Sequence, residues 1–314
     1  MTEASSSPPE PWVKFEAHMI SGFVIQIFGS AVYTLTLTAV YNLRKADKNI
    51  APFYHIYFWI GVVDVIHSIA LMWMNFVLSA VHGDKYTAIN YGASVLTCFC
   101  FLVNIIGNGL MAVNRYSATY TSHYKHFSKF RTYLYLVLTL FVSAVFSIPA
   151  ILRTKTFEFD DKIGDWTFQI TPPYLAKAQR YIILAFMILY FVIAVIFTMM
   201  ARNRITQFIS KDKYHKSDST LLLFVCAHAF LHCWMLVYEI GEVVDVDNVV
   251  WQFFHRYYFV AFNTITVSNG FFILVTTEKV KRAVFKTIRL FGTSKVSTLS
   301  NPGNQPIFST PVTY

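Results

Sequence analysis

Hydrophobic positions along the chain gather into seven helix-length runs, separated by connections that are mostly short and polar. At a rise of about 1.5 Å per residue, roughly 20 apolar residues cross the hydrocarbon core of a bilayer. The runs at 19–43, 53–81, 88–116, 131–152, 179–201, 219–240 and 250–275 meet that length. The pattern predicts an all-α membrane protein, a seven-transmembrane helix bundle. The second and third runs exceed the need and are expected to tilt or to project beyond the bilayer. After the seventh run, Val280, Val284, Ile288 and Phe291 recur at helical spacing, with Lys281, Arg282, Lys286 and Arg289 between them. That predicts a short amphipathic helix over 276–292, lying on the inner leaflet. Outside these elements stand a polar N-terminal tail, 1–18, and a Ser/Thr-, Pro- and Gly-containing tail, 293–314, expected to be disordered and cytoplasmic.

Composition narrows the class. The 314 residues are 55% hydrophobic, 18% aromatic and only 14% charged, where a soluble chain carries roughly 25% charged residues. A net charge of +9 does not point to nucleic acid, because Lys and Arg sit in short segments between apolar runs. With the N-terminus outside, the segments 44–52, 115–131, 202–217 and 276–314 face inward and hold 18 Lys and Arg, against 7 outside. That asymmetry predicts the N-terminus outside and the C-terminus inside. The longest connection, 153–178, then lies outside, where its acidic, basic and aromatic residues can cover an outer cavity. Residues 1–18 lack the basic-then-apolar order of a secretory leader, so the first run is expected to act as an uncleaved anchor. Cys98, Cys100, Cys226 and Cys233 all fall inside apolar runs, and none is placed for an extracellular disulfide.

Polar residues inside lipid-spanning helices are costly and concentrate where function is. Run three ends in Asn114-Arg115-Tyr116. Above Arg115, at intervals of about two turns, lie Asn108, Phe101 and Ser94, with Thr97 and Asn104 adjoining. A lone boundary arginine snorkels to lipid phosphate. A polar stripe, however, must meet other helices or water, which sets Arg115 at the bottom of the bundle. Asp64 lies about eleven residues into run two, near the bilayer centre. One reading is a protonated carboxyl bonded to a neighbouring helix. The favoured one is a polar switch with Asn104, Asn108 and Asn263 or Asn269, differing between two bundle packings. His228 and His232, at i, i+4 beside Cys233, have a spacing that can hold a metal, but no third ligand matches, and no metal is assigned. A ligand pocket is expected in the outer third, from Tyr91, Ser94, Tyr181, His232, Tyr238, Glu239, His255 and Arg256. Each aromatic member suits an interfacial belt as well. Arg256 needs a partner, for which Glu239 and Glu242 are candidates.

These residues resemble the seven-helix G-protein-coupled receptor class. The likeness implies a G-protein-facing role for Arg115 and a polar-switch role for Asp64. Several features depart from the rhodopsin-like pattern. Asn114 stands where an acid would restrain the arginine, and Asn269-Gly270 is not followed by Pro-x-x-Tyr. Cys233-Trp234 has no proline after it, and no cysteine pair ties run three to the outer loop. Phe53-Tyr54-His55-Ile56-Tyr57, Val63-Asp64-Val65-Ile66, Asn114-Arg115-Tyr116-Ser117-Ala118 and Lys125-His126-Phe127 are similar to nematode serpentine chemoreceptors, particularly the gamma/V group. That likeness spans roughly residues 20–290. It implies a multi-pass plasma-membrane receptor of a sensory neuron that detects an environmental or pheromone-like chemical.

The function expected is therefore chemosensory. A small molecule in the outer cavity biases the bundle toward a packing that opens its inner face to a heterotrimeric G protein. Asn114, Arg115, Tyr116, Lys125, Arg131, Arg202 and Arg204 are the candidates for that face. Partners are the ligand, the G protein and membrane lipids, with no nucleic acid, no cofactor and no catalytic residue. A seven-span transporter is the alternative from another class; it predicts repeated halves or broken mid-membrane helices, and no duplicated motif is visible. A hydrolase built on His228 and His232 is a third reading. Run seven contains no lysine for a retinal Schiff base.

Overall fold

The computed structural model describes residues 17–47, 50–74, 87–118, 127–160, 165–208, 215–244 and 249–297. Seven long helices occupy the seven apolar runs: α1 (Ala17–Ala46), α2 (Pro52–Met72), α3 (Thr87–Ala118), α4 (Lys129–Phe146), α6 (Pro173–Phe208), α7 (His215–Val244) and α8 (Val249–Thr276). Two further helices are α5 (Ile148–Leu152), directly after α4, and α9 (Glu278–Ser297), directly after α8. Among the described residues, six helices are long and apolar enough to cross a membrane, on α1, α2, α3, α4, α6 and α8. The remaining long helix, α7, packs between α6 and α8 in the same bundle.

Three local features depart from the sequence pattern. The fourth run breaks at Ser147, because Pro149 lacks an N–H and its ring clashes with the carbonyl one turn back. Ser147 bonds its hydroxyl to the Ser143 carbonyl at 2.7 Å, and α5 restarts from there. The long connection holds a β-hairpin, β1 (Thr154–Asp160) paired antiparallel with β2 (Asp165–Thr171), in the register Thr154↔Thr171 to Asp160↔Asp165. Finally, α9 runs to Ser297, past the expected boundary at 292; residues 298–314 lie outside the described ones.

Burial is arranged for an apolar solvent. Large hydrophobic side chains face outward along α4 (Leu134, Val137, Leu138, Phe141) and α6 (Ile188, Leu189, Val192, Ile196). Gln26, Asp64, His67, Asn104, Asn108, His228, Asn263 and Asn269 are all buried. A water-soluble domain of this size would show the reverse on those faces. Central in the bundle, α3 packs on α2, α4, α6 and α7, while α1 closes against α8, α2 and α9. Small residues set the closest approach. A Cβ on Gly270 of α8 would meet the Tyr33 backbone Cα of α1 at 2.8 Å. That contact brings Tyr33 and Asn269 to the same point in the core.

Candidate functional site

Asp64 is fully buried at the middle of α2, and side chains from three other helices converge on its carboxylate. Tyr33 of α1 donates its hydroxyl to Oδ2 at 2.7 Å. Asn269 of α8 donates Nδ2 to the same oxygen at 3.2 Å, and Asn104 of α3 donates to Oδ1 at 2.8 Å. Hydrogen bonding to an ionised acceptor offsets part of the cost of taking a carboxylate out of water. The network continues sideways. Asn108 donates to Asn104 Oδ1 at 3.0 Å and lies 3.4 Å from His228 Nε2 on α7. The other ring nitrogen of His228 is 3.3 Å from the Tyr190 hydroxyl of α6. Of the two asparagines offered for the hub from α8, Asn269 joins it. Asn263 bonds the Gly22 carbonyl at 3.3 Å instead.

Toward the α9 end, Tyr57 donates to the Asn269 carbonyl at 3.3 Å, and its ring stacks on Phe53 at 6.2 Å between centroids. The Arg115 guanidinium sits over the other side of this cluster, 3.7 Å from the centre of the Phe53 ring. Arg115 and Asn114 are both buried in this packing. Tyr116 packs at a tilt against Phe197 of α6, with 5.0 Å between ring centroids. Arg131 and Arg202 are exposed at the same end. Lys125 lies outside the described residues, and the side chain of Arg204 on α6 is not described.

Toward the hairpin end, α2, α3, α6, α7 and α8 enclose a cavity of about 280 Å³. Phe101 and Phe262 meet edge to face at 4.8 Å in its wall, and His67 lies edge-on to Phe262 at 5.3 Å. Ser94, Tyr238 and Glu239, three of the residues expected in the pocket, line it. The others do not appear in its lining. Tyr91 bonds the Ile151 carbonyl on an exposed face, Tyr181 is exposed on α6, and Arg256 is exposed on α8. The side chain of His255 is not described. His232 is buried elsewhere, edge-on to Tyr190 at 4.9 Å and tilted against His228 at 4.4 Å. Glu242, a candidate partner of Arg256, forms an ion pair with Arg180.

Sequence reasoning missed several members of this assembly. Tyr33 had a signal: Gln26, Ser30 and Tyr33 stand at i, i+4 and i+7 in the first run, and the first two bond Ser68 on α2. Phe53 and His67 carried none, because a ring in an apolar run looks the same whether it packs or binds. Gln179, Arg153 and Arg180 line the cavity; the two arginines had entered only the charge count of the outer segments, and Gln179, at the start of the fifth run, was not singled out. Among the described residues, no group of three His, Cys, Asp or Glu comes together in a way that could hold a metal ion.

A family model, serpentine type 7TM GPCR chemoreceptor Srv, matches residues 23–290, from the first long helix into α9. No curated protein matches the chain.

Proposed function

We propose a function from one premise: the chain belongs to the serpentine type 7TM GPCR chemoreceptor family Srv. It is a multi-pass membrane protein of the receptor kind, and on our reading it acts as a chemosensory receptor at the plasma membrane of a sensory neuron. Its N-terminus faces outward, as the Lys and Arg asymmetry requires. The cavity then opens toward the outside, and the Arg115 end meets a heterotrimeric G protein. Ligand binding at Ser94, Tyr238 and Glu239 is felt at Arg115 through the Asp64 hub.

The observation that carries this reading is a continuous run of buried contacts between the two ends. Phe101 and Phe262 form part of the cavity wall, and His67 packs on both. Asp64 follows one turn along α2 with its three donors, and Tyr33 packs on Tyr57 at 6.0 Å. Tyr57 then stacks on Phe53, and Phe53 bears Arg115. Coupling needs an element with two discrete packings that both ends bias. The seat of Arg115 on Phe53 is the candidate for that element, with an open packing in which the guanidinium leaves the ring for the G-protein side.

The test is a ligand screen in cells that report G-protein activation, with Arg115→Ala as control. Ligand-dependent activation by the natural sequence, lost in Arg115→Ala at equal surface expression, is the expected result. Solute uptake into liposomes by the purified protein, with no activation by any compound, would overturn it in favour of transport.

A further inference from the structure

The cavity holds polar groups that its aromatic wall does not satisfy. Arg153 leaves the end of α5 and enters the lining, and its Nε is buried without a hydrogen-bond partner. No acid among the described residues pairs with it; its electrostatic neighbours are Cys98 and Arg180. Arg180 is itself engaged, by Glu242 and by Tyr238. Burial pushes the Arg153 guanidinium below its ordinary value, and the neighbouring Arg180 pushes it the same way. A cation in that position gains from an arriving anion. Gln179 lines the same cavity, is only 2% exposed, and has neither amide atom bonded. Native interiors rarely leave an amide in that state, so it points to a group that arrives from elsewhere.

The opposite charge is also present. Glu239 lines the cavity, with Oε2 buried and unpartnered, and its electrostatic neighbours are Arg180 and Glu242 rather than Arg153. A second anionic group on a ligand would meet the Glu239 carboxylate there, whereas a hydroxyl or amide donor would find an acceptor. At about 280 Å³ the space lies just below the roughly 300–1,000 Å³ range of small-molecule pockets, which suits a small ligand.

We infer that the cavity takes a small organic monoanion, with its carboxylate shared by Arg153 and Gln179 and its apolar body against Phe101, Phe262 and Tyr258. A carboxylate offers two acceptor oxygens to the Arg153 fork and the Gln179 amide, which a neutral or cationic molecule of the same shape does not. This assignment rests on the receptor reading for its biological meaning, but it concerns recognition and is tested without signalling.

Full-length protein in lipid nanodiscs is titrated by calorimetry with indole-3-acetate, indole-3-acetamide and tryptamine. These probes share a ring system and differ in charge. The acetate is expected to bind at least about tenfold tighter than the amide, the usual scale for charge-assisted hydrogen bonds. Arg153→Gln erases that preference, so that the acetate and the amide bind alike, and Arg153→Lys restores part of it. Unliganded melting temperatures of the variants confirm that they remain folded. Equal or tighter binding of the amide or the amine overturns the inference. So does an acetate preference that survives Arg153→Gln, or failure of the acetate to bind at all. Each of these leaves the receptor reading standing, because that reading falls only with the activation screen.

Discussion

Replacing Phe53 with leucine removes the ring on which the Arg115 guanidinium rests, at 3.7 Å from the ring centre. Both residues are buried, so the contact belongs to the desolvated class, worth about 2 kcal/mol or more against about 0.5–1 kcal/mol for an exposed pair. If the open packing is populated at about 1% without ligand, a loss of about 2 kcal/mol from the closed side multiplies that ratio roughly thirtyfold. The open fraction then rises to about a quarter. The assay is ligand-independent nucleotide exchange on a co-expressed G protein, normalised to surface expression. Normalisation matters because shortening a fully buried ring also costs about 1 kcal/mol or more of stability through packing. Phe53→Tyr keeps the π face and is expected to stay near the natural basal level. Basal exchange in Phe53→Leu no higher than in Phe53→Tyr would refute the idea that the ring holds Arg115 in the closed position.

Four further outcomes are expected. Tyr33→Phe deletes one donor to Asp64 without opening a cavity, and should lower stability by about 1.5–3 kcal/mol, the scale for a hydrogen bond to a charged group; thermal unfolding in nanodiscs reads it, and an unchanged midpoint would argue that the bond contributes nothing. Gly270→Ala drives a Cβ toward the Tyr33 backbone, which has no rotamer to yield, so a loss of about 1–3 kcal/mol is expected. Gly92→Ala, where a Cβ meets nothing within 4 Å, should stay within about 0.5 kcal/mol of the natural sequence. Epitope tags at the two termini should be reached by antibody from opposite sides of intact cells, the N-terminal tag from outside; tags on one side would break the topology used above.

The helices were legible because lipid imposes one rule on them: about 20 apolar residues in sequence, readable without any knowledge of partners. The core of the site was legible for a related reason. Asp64, Asn104, Asn108 and Asn269 are polar residues in a medium that tolerates few, so each had to find another. Choosing Asn269 over Asn263 was beyond the sequence, since both lie on α8 and only helix rotation separates the Asp64 partner from the Gly22 partner. The break at Pro149 and the alternation Lys155-Thr156-Phe157-Glu158-Phe159 were visible, yet a window tuned to spans passes over both. The pocket was read least well. Tyr91 and Tyr181 have the composition of a binding wall and of an interfacial belt alike, and no one-dimensional pattern distinguishes inward from outward rings there.

Asn114 in place of an acid removes the charge that would hold Arg115 within its own helix, and the arginine instead meets the Phe53 ring on another helix as one of its contacts. That exchange changes what can release the arginine. An ionic partner titrates and is screened by salt, whereas the face of Phe53 does neither, so the clasp responds to the relative position of α2 and α3. Phe53, Tyr57, Asp64 and His67 stand at intervals of four, seven and three residues, which places them on one face of α2. His67 touches the cavity wall at one end of that face and Phe53 bears the arginine at the other. On the proposed reading, a small rotation or slide of α2 alters both ends at once, and the Asp64 hydrogen bonds lie between them. Transmission through one rigid helix needs no chain of independently switching side chains, and it explains why the costliest residue in the bundle lies midway along that face.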